Sequence, residues 1–340
     1  MDHAIILTGA VLLAALAFDF VNGFHDAANS IATIVATRVL KPGHAVLWAA
    51  LFNFTALFLF GTGVAKTVGS GMIALDSVTL VVILSGLIGA ILWGLLTWWF
   101  GLPTSSSHAL LGGYAGAAMS NSAFRHGLAA LYDPIVPQGW EKTLILIVVA
   151  PALGLIMGHA LMKGAQWAQT YMPKKYAGQI FKALQLLSSA FLSLMHGSND
   201  AQKTAGIMAG ALVAGGYFKE FTIPYWVLCT SYGMLGLGTF FGGWRIVDTL
   251  GKRLTRLRPN GGFSAETAAS LSILMATLLS LPVSTTHVTT GAILGVGAAQ
   301  NPRTVHWTVA GRILRAWILT IPAAALMGGT VMWLAALCGG

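Results

Sequence analysis

The chain has 340 residues, 56% of them hydrophobic and 9% charged, with a mean hydropathy of +0.75 and a formal net charge of +9. Soluble domains carry about 25% charged residues, so this composition excludes a soluble globular protein and specifies a multi-pass membrane protein. A nucleic-acid-binding role is excluded by arrangement: Lys163, Lys174, Lys175 and Lys182 flank the centre, and Arg245, Lys252, Arg253, Arg256 and Arg258 fall in one loop, the pattern of topogenic cytoplasmic charge.

The predicted spans are the apolar runs 4–21, 44–65, 78–100, 143–162, 183–195, 223–243, 265–281 and 313–337. Several approach the ~20 residues that cross hydrocarbon. The first has no positively charged leader and contains Asp19, so it is expected to be a retained helix and not a signal peptide. Directly behind it, "NGFHDAANSIATIVATR" (22–38) gathers His25, Asp26, Asn29 and Ser30. This segment from 26, together with 103–119, 200–215 and 282–299, is too short or too polar for an ordinary span. Each opens on Ser, Thr, Asn, Asp or Pro, which predicts a helix start there. Residues 164–182 form a polar linker expected to lie at the membrane interface. No segment alternates with period two, so the fold class is all-α. Cys229 and Cys338 imply neither a disulfide framework nor a metal site.

Two motifs recur in the same order. "GFHDAANSIAT" from Gly23 matches "GSNDAQKTAGI" from Gly197, placing Asp26 174 residues before Asp200 and Ser30 opposite Thr204. "LPTSSSHALLGG" from Leu102 matches "LPVSTTHVTTGA" from Leu281, placing His108 179 residues before His287. The chain therefore divides into repeat 1 (1–163; signature 22–33, hairpin 102–119), the linker 164–182, and repeat 2 (183–340; signature 196–207, hairpin 281–299). Short, interrupted hydrophobic segments at matching places in two halves point to the binding site of a secondary transporter.

Pro103 and Pro282 suit helix starts, and the triplets Ser105, Ser106, Ser107 and Ser284, Thr285, Thr286 supply caps and hydroxyl donors. Two helix N-termini of this kind suit one tetrahedral oxyanion. A carboxylate within a membrane segment costs at least ~2.5 kcal/mol. Asp26 and Asp200 would repel an anion if bare, so they are read as holding a cation or proton that travels with it, with Asn29, Ser30, Asn199 and Thr204 as oxygen ligands or donors. Lys203 stands where repeat 1 has Asn29, and it either pairs with Asp200 or contacts the anion. His25 can titrate near neutral pH or simply hydrogen-bond, and Asp19 is a candidate structural acid. His108 and His287 are read as helix-start residues. There is no G-x-S-x-G, H-E-x-x-H or P-loop, so the reading is a transporter and not an enzyme, with no cofactor and no ATP site.

On "GFHDAANSIAT", "HGSNDAQKTAGIMAG", "LPTSSSHALLGG" and "GFSAETAASLSILMATLLSLPVSTTH", nearly the whole chain resembles the inorganic phosphate transporter (PiT) family, in its bacterial low-affinity form. The resemblance implies two inverted repeats with re-entrant helical hairpins, a homodimer, and inward transport of orthophosphate coupled to Na⁺ or H⁺. It assigns substrate and cation sites to Asp26, Asn29, Asn199 and Asp200, to Ser105 through Ser107 and Ser284 through Thr286, and adds Glu266 as a carboxylate of the family. Asn53 stands where many relatives carry an acid, and the signature reads "FHD" in place of "AND"; both lean towards H⁺, and the "FHD" form resembles the branch associated with metal–phosphate complexes as cargo.

The resulting expectation is a multi-pass inner-membrane importer of inorganic phosphate, with Asp26, Asp200, Glu266 and His25 as coupling groups and Asp26 and Asp200 as Na⁺ ligands if sodium is the coupling ion. The rivals are a transporter of sulfate or another tetrahedral oxyanion, and a passive anion channel.

Overall fold

Acidic and polar side chains are buried beside an apolar core, and large apolar side chains cover the outside. In the computed structural model, which describes residues 2–338, Asp19, Asp26, Asp200 and Glu266 are buried, while Leu13, Ile156 and Leu326 are 70%, 63% and 72% exposed. Lipid, and not water, solvates such a surface. The described helices are α1 (Asp2–Ala36), α2 (Pro42–Thr55), α3 (Gly63–Gly71), α4 (Leu80–Trp99), α5 (Ser106–His126), α6 (Pro137–Tyr171), α7 (Lys174–Ala214), α8 (Tyr225–Phe241), α9 (Trp244–Asp248), α10 (Pro259–Leu278), α11 (Thr285–Gln300) and α12 (Trp307–Leu337). No β-strand occurs among the described residues, which carry a single isolated bridge, Ile73 to Ile135. Among them, α1, α4, α6 and α12 are long and apolar enough to cross a membrane.

Proline starts α2, α6 and α10, and Thr79, Ser105 and Ser284 cap α4, α5 and α11. The expected starts near 103 and 282 are therefore present. Those expected at 26 and 200 are not: α1 and α7 run unbroken through both signatures. Asn29 and Asn199 bond to other segments, and Asp26 and Asp200 accept from the α11 threonines, so these side chains do not compete for their own backbone. The run 44–65 is not one straight span, because the chain bends by 87° between Pro42–Phe58 and Gly63–Gly69. The linker 164–182 is not a separate element. Its residues finish α6 and begin α7 around a break at Met172 and Pro173.

Two large apolar clusters organise the core, beside a small third one around Ala56, Ala201 and Leu235. One joins Ala27 to Ile34 of α1 with Leu192 and Met195 of α7, α10 and α11. The other joins Val11 to Phe18 of α1 with Ala205 to Leu212 of α7, α4 and α5. The early part of each helix thus shares a cluster with the late part of the other, so α1 and α7 pass in opposite directions, and the signatures lie where they cross. The hairpin helices pack on the far half: α5 lies on α12, and α11 on α6. Contact is backbone to backbone. A Cβ at Gly116 would lie 2.0 Å from the carbonyl oxygen of Ala325, and one at Gly295 2.0 Å from that of Leu155.

Matching turns feed α5 and α11. Gly101 (φ +62°) follows α4, and Ser280 (φ 57°) follows α10. The amides of Leu102 and Leu281 bond back to the carbonyls of Thr97 and Ala276, each at 2.9 Å, closing two Schellman-type ends. Each turn sends an extended Leu-Pro stretch towards a capped helix start.

Candidate functional site

The site assembles where α1 and α7 cross, and its side chains reach across the halves. Asn29 of α1 donates from Nδ2 to Thr286 Oγ1 at 2.9 Å and to Thr285 Oγ1 at 3.4 Å, both on the first turn of α11. Thr286 donates to Asp26 Oδ1 at 3.3 Å. In the other direction, Lys203 of α7 donates from Nζ to Ser107 Oγ on the first turn of α5 at 2.6 Å. It also donates to Asp200 Oδ1 at 2.7 Å and to the carbonyl oxygen of Val283 at 2.6 Å. Thr285 donates to Asp200 Oδ2 at 3.3 Å. One ammonium thus touches both hairpin entries, so the starts of α5 and α11 lie side by side.

The hairpin hydroxyls divide their work. Ser105 Oγ accepts from the amide of His108 at 3.1 Å, and Ser284 Oγ from the amide of His287 at 3.2 Å; both are caps. Ser107, Thr285 and Thr286 are turned to the site, and all three are buried, as is Ser106. A helix start leaves its first amides outside the intrahelical ladder, so these turns add N–H donors and a partial positive charge. Asn199 fixes the second entry: its Nδ2 donates to Thr277 Oγ1 at 3.1 Å and the Leu281 carbonyl at 3.3 Å, and its Oδ1 accepts from the Val283 amide at 3.3 Å. His108 and His287, which begin matching helices, meet edge to face with ring centroids 4.7 Å apart.

Around Asp26, His25 Nδ1 donates to Oδ1 at 2.8 Å, and His25 Nε2 lies 3.1 Å from Thr97 Oγ1. Around Asp200 stands a residue that sequence reasoning did not single out. His196, one turn earlier on α7, places Nε2 3.2 Å from Asp200 Oδ2 and Nδ1 3.1 Å from Asn53 Oδ1. Asn53 commits its Nδ2 to Thr239 at 2.9 Å, so its oxygen is the acceptor and His196 Nδ1 carries the proton. His196 Nε2 and Asp200 Oδ2 therefore face each other with room for one proton or cation between them. Asp26 adds an oxygen: ligand atoms of Asp26, His196 and Asp200 all lie within 4.8 Å of one another, and the three residues could hold a cation. The missed signal was the i, i+4 spacing of His196 and Asp200 in "HGSND".

Not every candidate joins this centre. Glu266 of α10 is held separately, by Thr33 at 2.6 Å, Gln185 at 3.0 Å and Ser188 at 2.5 Å. Thr33 is seven residues beyond Asp26 on α1, about 10 Å along the helix. Asp19 accepts from Ser231 at 2.6 Å between α1 and α8. Ser30 Oγ and Thr204 Oγ1 are buried and find no partner among the described residues.

Residues 22–328 match the Phosphate transporter family. A Rhizobium meliloti protein named "Probable low-affinity inorganic phosphate transporter" is 48% identical over 95% of this chain and 94% of its own length. A Bacillus subtilis protein of the same name is 40% identical over 96% and 97% of the two chains. The solved structure titled "The sodium-dependent phosphate transporter" superposes with a TM-score of 0.83, covering 98% of this chain and 99% of that one at 24% identity, which is a likeness of fold.

Proposed function

Because the chain belongs to the phosphate transporter family, we propose that it imports inorganic phosphate across the cell membrane by ion-coupled alternating access. The observation that carries the reading is the convergence of Asp26, His196 and Asp200 on the paired starts of α5 and α11. The helix starts and their hydroxyls supply donors for the anion. The carboxylates supply the place for its partner cation.

Charge decides that the two must travel together. Asp26 and Asp200 against Lys203 leave one net negative charge in a buried cluster. Phosphate would deepen it, and an uncompensated charge in low dielectric costs many kcal/mol, so anion entry requires a proton or metal cation at Asp26, His196 and Asp200. The coupling ion in this proposal is H⁺ or Na⁺, with His25 and His196 hydrogen-bonded to or close to the two carboxylates. Alternating access then moves the two halves about the shared centre. Three features support an inverted pair of repeats as the moving parts: the opposed directions of α1 and α7, the exchanged packing of α5 and α11, and the matching turns at Gly101 and Ser280.

The test is radiolabelled phosphate uptake into proteoliposomes under an imposed pH gradient or an imposed Na⁺ gradient. Concentrative uptake under either gradient is expected, and the effective gradient names the ion. Flux that only equilibrates would replace the reading with a channel, and sulfate outcompeting phosphate would change the substrate.

A further inference from the structure

Lys203 contributes the positive charge of the site, and its own contacts show how that charge is held. It has no spare donor for an anion. Its three N–H bonds face three oxygens: carboxylate Oδ1 of Asp200 at 2.7 Å, hydroxyl Oγ of Ser107 at 2.6 Å and the carbonyl of Val283 at 2.6 Å. The side chain is 4% exposed. A carboxylate, a hydroxyl and a backbone carbonyl drawn from three separate segments make the donor set that a hard monovalent cation takes up. The matching position in the other half is Asn29, a neutral amide whose Oδ1 is buried and finds no partner among the described residues.

We propose that Lys203 is a tethered cation standing in for a mobile alkali cation in the second half-site, so that it sets how many ions this protein must take up with each phosphate. The inference rests on the transport reading above. An ammonium carried on α7 neutralises Asp200 Oδ1 permanently and clips the α5 start to the α11 entry. Only the place between Asp200 Oδ2, His196 and Asp26 is left for an exchangeable proton or cation. A fixed charge cannot be delivered across the membrane, so each position filled this way removes one ion from the transport stoichiometry.

Lys203→Asn removes the charge, leaves an amide oxygen as ligand and makes the two halves alike at this position. In alkali-cation-free buffer (choline chloride), phosphate uptake by Lys203→Asn should fall at least about tenfold, because Asp200 is left as an uncompensated buried charge. Added Na⁺ or Li⁺ should restore it to within about threefold of wild type, and the Hill slope for Na⁺ should rise by about one relative to wild type. Without phosphate, the melting temperature of purified Lys203→Asn should rise with NaCl and not with choline chloride, while that of wild type responds less. Asp200→Asn/Lys203→Asn lacks both charges and should accumulate as folded protein without any Na⁺-dependent stabilisation.

Lys203→Asn that transports fully in choline overturns the proposal. So does a variant inactive in choline that Na⁺, Li⁺ and K⁺ all fail to restore, and so does one that cannot be recovered folded even in NaCl. A wild-type protein that takes up no phosphate under any gradient would sink the transport reading instead, and the Na⁺-dependent melting of Lys203→Asn would still judge the tethered cation.

Discussion

The two halves of the site are built from matching residues and balance charge differently. In the first, Asp26 faces His25, and Thr286 and Asn29 are neutral. In the second, Asp200 is gripped by Lys203 and approached by His196 and Thr285. One carboxylate is paired with an ammonium on its own helix; the other has an imidazole and a hydroxyl beside it and no lysine. Two matching acids on α1 and α7 thus sit in similar geometry with different counter-groups.

The largest effect that should separate the halves comes from neutralising each acid in turn. Asp200→Asn strands Lys203 as an unpaired buried cation and should cost about 3–5 kcal/mol of stability, read as lost yield or a sharply lowered melting temperature. Asp26→Asn leaves no fixed charge behind and should cost only about 1 kcal/mol, yet still abolish coupled uptake. Equal destabilisation by the two would break the comparison.

A smaller effect lies at the turns. Ser280 pays for a left-handed conformation that Gly101 adopts freely. Ser280→Gly should stabilise the protein by about 1 kcal/mol, and Gly101→Ala should destabilise it by about as much. Melting of the two variants checks whether the turns are energetically equivalent.

The smallest effect belongs to a surface control. Lys252 and Asp248 form an i, i+4 pair outside the spanning helices at 3.0 Å, with the Lys side chain 67% exposed. The adjacent Lys252 ammonium, helped by Arg253, holds the Asp248 carboxyl below its ordinary range. A depressed carboxyl stabilises above its unfolded pKa and loses that contribution as pH falls through the folded one. Asp248→Asn should cost less than about 0.5 kcal/mol, vanish in high salt and leave uptake unchanged. The contrast with Asp200→Asn measures what burial adds to the same lysine–aspartate chemistry.

Much of this was legible in the sequence. The repeated Pro and hydroxyl triplets announced the capped starts of α5 and α11, because capping is a local, three-residue interaction. Asp26 and Asp200 stood out because acids in apolar sequence are costly. What escaped was long-range. That α1 and α7 stay helical through their polar signatures depends on partners such as Thr277, Thr285 and Thr286, 78 to 257 residues away. His196 was hidden because its role follows from Asn53, on another helix, fixing its tautomer. The three oxygens around Lys203 come from α7, α5 and the α11 entry, which no spacing rule brings together. Glu266 was legible as an acid, but its separation from the centre depends on Thr33, Gln185 and Ser188.

The exchanged packing of the hairpins also governs how the protein is made. Gly116 of α5 closes on Ala325 of α12, about 200 residues later in the chain. At about 5–20 residues per second, synthesis takes about 10–40 s to supply that partner. Through this interval α5 cannot reach the packing it has in the finished protein. Until α12 is made, α5 lacks the helix on which its Gly116 face closes.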